Sequence, residues 1–400
     1  MQTEEPILIY LDSCDYSALS KPQLSEQEAQ QLASLRALKL SGKVLFVFSG
    51  AHISEMSPLD PQYVTTAAER TGLMVELCGR NTLVSFDKLI KAELSRLVTR
   101  NSKPAAVLDI NGEWFPETGS LINPIDEFDV ATKLQQEMEN HVLNRKARRI
   151  VKATTTNKSG RLRGDVEKRF GQADYSELID KIPMRPRDFR VLKNYVLGRA
   201  SREDANKAFL ESLRDPNYMV QWFIHNHQKL GPIVEWVRRP AQQLMESCDE
   251  SINKLRKSLI SLSGPERASV AKGVSGKSWQ KFKDQGVIDI INHLLVQIFP
   301  TAPACENLKD IEEYCPGIYV CTSTFYNSLQ NSFIERPRVI KASDFVDIMH
   351  ALYIPYVSYF RADRYMCSVI QPLISKHCGT KVVASPAKLI TELRIVVEPM

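Results

Sequence analysis

Four carboxylates in this chain could do chemistry together: Asp12 and Glu55 near its start, Asp347 and Asp363 near its end. Asp12 closes an apolar run, Ile7 to Leu11, and Glu55 follows a second one, Val44 to Phe48. Asp363 follows a third, Tyr356 to Phe360, and Asp347 lies on the helix-like stretch before it. Acids at the carboxyl ends of buried parallel strands converge on the crevice where open α/β sheets bind ligands. Clustered carboxylate oxygens suit hard cations such as Mg²⁺ or Mn²⁺. The four acids therefore predict a metal-dependent enzyme acting on phosphate esters.

The elements that must position them alternate in type. Residues 7–125 read as strand 7–11, helix 25–40, strand 44–48, a loop-to-helix passage through 49–55, and a helix at 60–71. A short strand at 74–78 and a helix at 85–99 come next. Ser25 with Glu28 three residues on is a capping-box signature. From about Asp126 the pattern changes to long polar helices, as in 129–152, 201–213 and 241–262. From Lys341 alternation resumes: a helix capped by Ser343 and ended by Pro355, strand 356–360, helix 364–377, strand 381–384 and a short helix from Pro386. Neither end alone makes a covered sheet, which a parallel arrangement requires. The economical reading is one discontinuous α/β domain, residues 1–125 with 340–400, interrupted by a mostly α-helical insertion at 126–339.

At 400 residues the chain has room for two or three domains of about 100–200 residues each. Its 43% hydrophobic and 25% charged content is ordinary for a globular protein. No apolar stretch approaches the roughly 18–20 residues needed to span a bilayer, so no membrane partner is expected. The start, Met1-Gln2-Thr3-Glu4-Glu5, lacks the basic lead of a secretory signal, and a cytoplasmic protein is expected. None of the eight cysteines forms a Cys-x-x-Cys pair, which favours free thiols over a zinc or redox motif.

In their strand contexts the terminal segments resemble the PIN-domain nucleases. Ile7-Leu8-Ile9-Tyr10-Leu11-Asp12 is similar to that family's opening strand with its first acid, and Ala51-His52-Ile53-Ser54-Glu55 to its second. Asp347-Ile348-Met349-His350-Ala351 resembles its Asp-x-x-His-Ala helix, and Tyr359-Phe360-Arg361-Ala362-Asp363 its last strand and fourth acid. There are departures. Ser358 stands where some members carry a further acid, Ala362 replaces a common Ser or Thr, and the insertion exceeds that of a minimal PIN domain.

The resemblance implies a three-layer α/β/α domain with a parallel sheet. It also implies hydrolysis of RNA, less often DNA, with Mg²⁺ or Mn²⁺ as cofactor and water as nucleophile. Asp12 and Asp363 would be direct ligands, Asp347 a direct or water-mediated one, and Glu55 would complete the cluster. Bland roles compete with each. Asp12 could cap the following helix, Glu55 could be a solvated helix residue, and Asp344 suits the helix start better than Asp347. His350 reads as a packed or hydrogen-bonded histidine rather than a ligand.

The net charge of +5 is concentrated in the middle of the chain. Residues 121–335 hold 32 Lys and Arg against 27 Asp and Glu, and the flanks hold 20 of each. Arg145, Lys146, Arg148, Arg149, Arg161 and Arg163 form the densest run. Such cations offer phosphate contacts that bind nucleic acid without reading sequence, RNA in preference to DNA given the nuclease-like ends. A solvated basic face is the bland alternative. Gly273-Val274-Ser275-Gly276-Lys277-Ser278 suggests a phosphate loop, but Ala271 occupies the position of its first glycine, and a basic turn suffices.

The expected function is metal-dependent endonucleolytic cleavage. The alternative is a PIN-like scaffold with a degenerate site, acting as an adaptor for protein or nucleic acid. The sequence leaves open whether a second copy or a regulatory partner protein assembles with it.

Overall fold

The computed structural model describes residues 6–57, 61–115, 184–197, 199–225, 276–331 and 342–397, with residues 163, 164, 263–266, 269 and 273 besides. The chain forms two compact units, Met1–Pro116 with Leu230–Met400, and Glu117–Lys229.

The first unit begins with β1 (Ile7–Tyr10), α1 (Ser13–Leu19), α2 (Glu26–Leu40), β2 (Val44–Val47), α3 (Gly50–Met56) and α4 (Val64–Cys78). The expected capping box starts α2: Ser25 Oγ accepts from Glu28 N at 3.3 Å, and the Glu28 carboxylate accepts from Ser25 N at 2.9 Å. The strand expected at 74–78 is instead the last turns of α4. Ala67, Thr71, Met74 and Cys78 are buried at helical spacing there, and a short apolar run fits either element. Gly79, with φ +61°, lets the chain leave this helix. β3 (Thr82–Leu83), α5 (Phe86–Thr99) and β4 (Leu108–Asp109) come next, with β3 and β4 antiparallel.

The second unit contains α6 (Pro186–Val196), α7 (Arg202–Leu213) and α8 (Pro216–His225). The helix expected at 201–213 is α7, and Ser201 caps it by accepting from Asp204 N. Arg185 pairs with Asp188 and with Asp215, fastening the start of α6 to the α7–α8 turn.

The chain re-enters the first unit with α9 (Lys277–Ile298), α10 (Leu308–Tyr314), α11 (Pro316–Asn331) and α12 (Ala342–His350). A 3₁₀ segment (Ala351–Tyr356), β5 (Tyr359–Arg361), α13 (Arg364–His377), β6 (Lys381–Val383) and α14 (Pro386–Val397) complete it. Pro355 sits inside the 3₁₀ turn, which runs on to Tyr356 and moves the strand expected at 356–360 to 359–361.

The sheet is parallel throughout, in the order β2-β1-β5-β6. Tyr10 pairs with Val47 on one side and Phe360 on the other. A parallel bridge from Phe48 to Thr82 sets β3 beside β2. The fold is thus broadly α/β and mostly helical, and the two ends of the chain contribute adjacent strands.

Side chains alternate along a strand, so one face of each must find a different cover from the other. Tyr10, Val47, Phe360 and Val382 share a core with Leu89 and Leu94 of α5, Ile291 of α9, Ile318 of α11, Leu352 and Ile370. Helices α9 to α11, read from sequence as part of the insertion, therefore pack into the sheet-bearing unit. Ile9 and Phe46, the alternate neighbours, are fully buried too. α2 and α4 pack on β2, and α14 on β5 and β6.

A buried acid joins α5 to α11. The Glu93 carboxylate accepts from Gly317 N at 2.7 Å and Ile318 N at 2.9 Å, and from the Tyr356 hydroxyl. Two amides that a helix start leaves without intrahelical partners are satisfied this way. A Cβ on Gly317 would stand 2.5 Å from Leu352 O and 2.7 Å from the Glu93 carboxylate, so glycine is required by close approach.

Among the described residues no helix is long and apolar enough to cross a membrane. The seven described cysteines are free thiols.

Candidate active site

Strand order reverses direction at β1, with β2 on one side and β5 on the other. Ligand crevices of open α/β sheets lie beyond the carboxyl ends of strands at such a point. Asp12 stands two residues past Tyr10, and Asp363 three past Phe360, at the ends of these neighbouring strands.

Both acids also start helices. Asp12 Oδ1 accepts from Cys14 N at 2.8 Å in a capping box with Asp15, and Asp363 Oδ1 accepts from Met366 N at 2.6 Å. Capping and lining the crevice are compatible, because each uses one carboxylate oxygen. The Asp12 cap expected as a bland alternative is present, and the same residue lines a small cavity with Asp347, His350, Tyr10 and Arg361.

Glu55, on α3, is 22% exposed and bonded from two sides. Its Oε2 accepts from the Ser13 hydroxyl and lies 3.0 Å from His350 Nε2. Burial pushes the Glu55 carboxyl up, but the charge and hydrogen bond of His350, with Ser13, hold it at about 2. His350 responds in the opposite sense. Burial lowers it, yet Glu55, Asp347 and Asp12 raise it above its ordinary value, so the imidazolium is favoured. In that form Nδ1–H donates to the Tyr10 oxygen 2.5 Å away, and the Tyr10 hydroxyl donates to Ser49 Oγ at 2.6 Å. His350 is a hydrogen-bonded histidine, as its sequence context suggested.

His52 takes the contrasting state. Its Nδ1 accepts from Ser49 N at 3.1 Å and its Nε2 donates to Leu11 O at 2.9 Å. Burial and the nearby His350 charge drive it down to about 3, so it is a neutral prop under the end of β1.

Asp347 differs from the other three acids. Among the described residues its carboxylate makes no hydrogen bond, and burial together with repulsion from Glu55, Asp12 and Asp363 pushes it up to about 8. All four acids foreseen from sequence thus fall within one electrostatic neighbourhood. They do not form a closed cage: among the described residues no three His, Cys, Asp or Glu side chains are grouped to hold a metal ion. The donor set nevertheless suits a hard cation. Asp363 Oδ2, Glu55 Oε1 and both Asp347 oxygens take part in no hydrogen bond among the described residues.

Arg361 was not foreseen. It donates from Nη2 to Asp15 Oδ1 at 2.7 Å, and its Nη1 lies 3.6 Å from Asp12 Oδ2. The available signal was a charged residue inside an apolar strand, since Arg is seldom fully buried without a task. Ser13, Ser49 and Tyr10 left no comparable signal. Ser358 bonds Leu8 N through its Oγ at 3.1 Å toward the amino ends of the strands, away from Asp12 and Asp363.

Arg145, Lys146, Arg148, Arg149 and Arg161 lie outside the described residues, and Arg163 is exposed.

No family model, no curated protein and no solved structure matches this chain.

Proposed function

We propose that the chain is a divalent-metal-dependent endonuclease, hydrolysing phosphodiester bonds in RNA in preference to DNA, built on a three-layer PIN-like domain. One observation carries the reading. Asp347 is held among Asp12, Glu55 and Asp363 with no hydrogen bond among the described residues, and burial with their repulsion, only partly offset by His350, disfavours its charged form, which a bound cation would restore. Helices packed on β2 from one group, and a core shared by Tyr10, Phe360, α5 and α13 from another, support the three-layer arrangement.

Asp12 and Asp363, through the oxygens their caps leave over, and Asp347 would hold Mg²⁺ or Mn²⁺. The bound ion would lower the pKa of a coordinated water and offset charge on the phosphate. Glu55, fixed by His350 and Ser13 through Oε2, keeps Oε1 without a hydrogen bond among the described residues. Tyr10 and Ser49 hold the His350 ring, and the neutral His52 fixes the turn after β1.

A second reading is a degenerate PIN-like scaffold that serves as an adaptor. Arg361 favours it by already placing a cation beside Asp12. Cleavage of labelled single-stranded RNA and DNA separates the two. The nuclease reading expects internal cuts with Mg²⁺ or Mn²⁺, lost with EDTA and in Asp12→Asn and Asp363→Asn. Unchanged turnover in either variant would reject the site, and no cleavage by the wild-type chain would favour the adaptor.

A further inference from the structure

Arg361 ends β5, all three of whose residues are buried. Its side chain is 9% exposed. A guanidinium in such a place is ordinarily partnered at every nitrogen, because an orphaned buried donor costs the full loss of its hydration. Here Nη2 is satisfied by Asp15 Oδ1 at 2.7 Å, with Cys14 Sγ 3.4 Å away. Nε and Nη1 have no hydrogen-bond partner among the described residues. Nη1 reaches only to 3.6 Å from Asp12 Oδ2, beyond hydrogen-bond length.

The tie to Asp15 explains why an arginine could join β5 to α1, but it uses only one end of the fork. Arg361 also lines the cavity with Tyr10, Asp12, Asp347 and His350. That space is about 10 Å³, close to what one water-sized oxygen occupies. The Asp12 and Asp347 carboxyls in its lining make it hostile to an anionic oxygen unless a cationic donor faces that oxygen directly. The uncommitted N–H groups of Arg361 are such donors, and a planar guanidinium matches phosphate oxygens in charge and shape.

We infer that Arg361 is a substrate-binding residue, its free N–H groups receiving a non-bridging phosphoryl oxygen of a phosphodiester seated over Asp12 and Asp347. The inference rests on the nuclease reading and adds to it the group that grips the anion beside the acids.

The test is binding rather than turnover. A short fluorescein-labelled single-stranded oligoribonucleotide is titrated with wild-type chain, Arg361→Gln and Arg361→Lys in Ca²⁺ across a salt series, with melting temperatures alongside. Arg361→Gln is expected to bind about 10- to 100-fold more weakly. Its log–log salt slope should be shallower by about 0.7, the loss of one phosphate contact on a single strand. Arg361→Lys, which keeps the charge and loses the fork, should fall between them with a wild-type slope. Wild-type affinity and slope in a folded Arg361→Gln would overturn the inference and leave Arg361 as a tie to Asp15. If that variant does not fold, Arg361→Lys decides, and undiminished affinity there overturns it too. Should the wild-type chain itself fail to bind, the nuclease reading falls, and this inference with it.

Discussion

Glu55 Oε2 lies 3.0 Å from His350 Nε2, although 295 positions separate the two residues along the chain. Around this contact the early half of the sheet, which brings Asp12 and Glu55, meets the late half, which brings Asp347 and Asp363. Its strength has a pH signature. The Glu55 carboxyl is depressed from 4.5 to about 2, so its contribution is present above pH 4.5 and is lost as pH falls toward 2. His350 is raised from 6.5, so its contribution is complete below that value and is lost as pH rises through the elevated one. Both hold together between pH 4.5 and 6.5. Urea unfolding should find His350→Gln destabilised by about 3 kcal/mol in that window. The gap should narrow on either side, and a constant gap across pH would show that the pair is not ionised.

The caps at Asp12 and Asp363 let stability and activity be separated. Asparagine caps a helix about as well as aspartate, so Asp363→Asn should melt close to the wild-type chain and still fail to cleave RNA. Asp363→Ala, which removes the acceptor for Met366 N, should lose about 1 kcal/mol in addition. Cleavage retained by either folded variant would count against Asp363 as a site residue.

Glu93 makes a prediction about the fold alone. Glu93→Ala would orphan the amides of Gly317 and Ile318 and the Tyr356 hydroxyl, at a cost of about 1–3 kcal/mol for each buried group left unpaired. Glu93→Gln keeps an acceptor and should cost less. Chemical denaturation of both variants checks the order, and equal stability of Glu93→Ala and the wild-type chain would contradict the assigned role.

Charge reversal at Arg145, Arg148 and Arg149 should weaken RNA binding and flatten its salt dependence by about 0.7 per lost phosphate contact. Unaltered affinity and slope in the triple variant would identify the run as a solvated basic face.

The candidate acids are legible in the sequence because acids that come after apolar runs mark strand ends. Asp12, Glu55 and Asp363 needed only that rule, Asp347 came from its helical Asp-x-x-His-Ala context, and Ser25 with Glu28 needed only the capping box. What failed was local ambiguity: Met74 to Cys78 is apolar enough for a strand, and tertiary packing of Met74, Leu77 and Cys78 decided for helix. The 3₁₀ turn through Pro355 displaced β5 for a similar reason, since proline ends regular helix without fixing where the next strand starts. The packing of Val287, Ile291 and Ile318 beneath the sheet was invisible because helical periodicity names a buried face and not its partner. The surroundings of Arg361 are not legible in the sequence because they depend on which strand lies beside β1.

Calorimetric titration of Mn²⁺ into the wild-type chain and Asp347→Asn is the most direct test of the cation pocket. Measurable binding by the wild-type chain is expected, weakened at least about tenfold in a folded Asp347→Asn, since a carboxylate charge facing the ion is replaced by a neutral amide. Wild-type protein that takes up no Mn²⁺, or a variant that takes it up equally well, would contradict it.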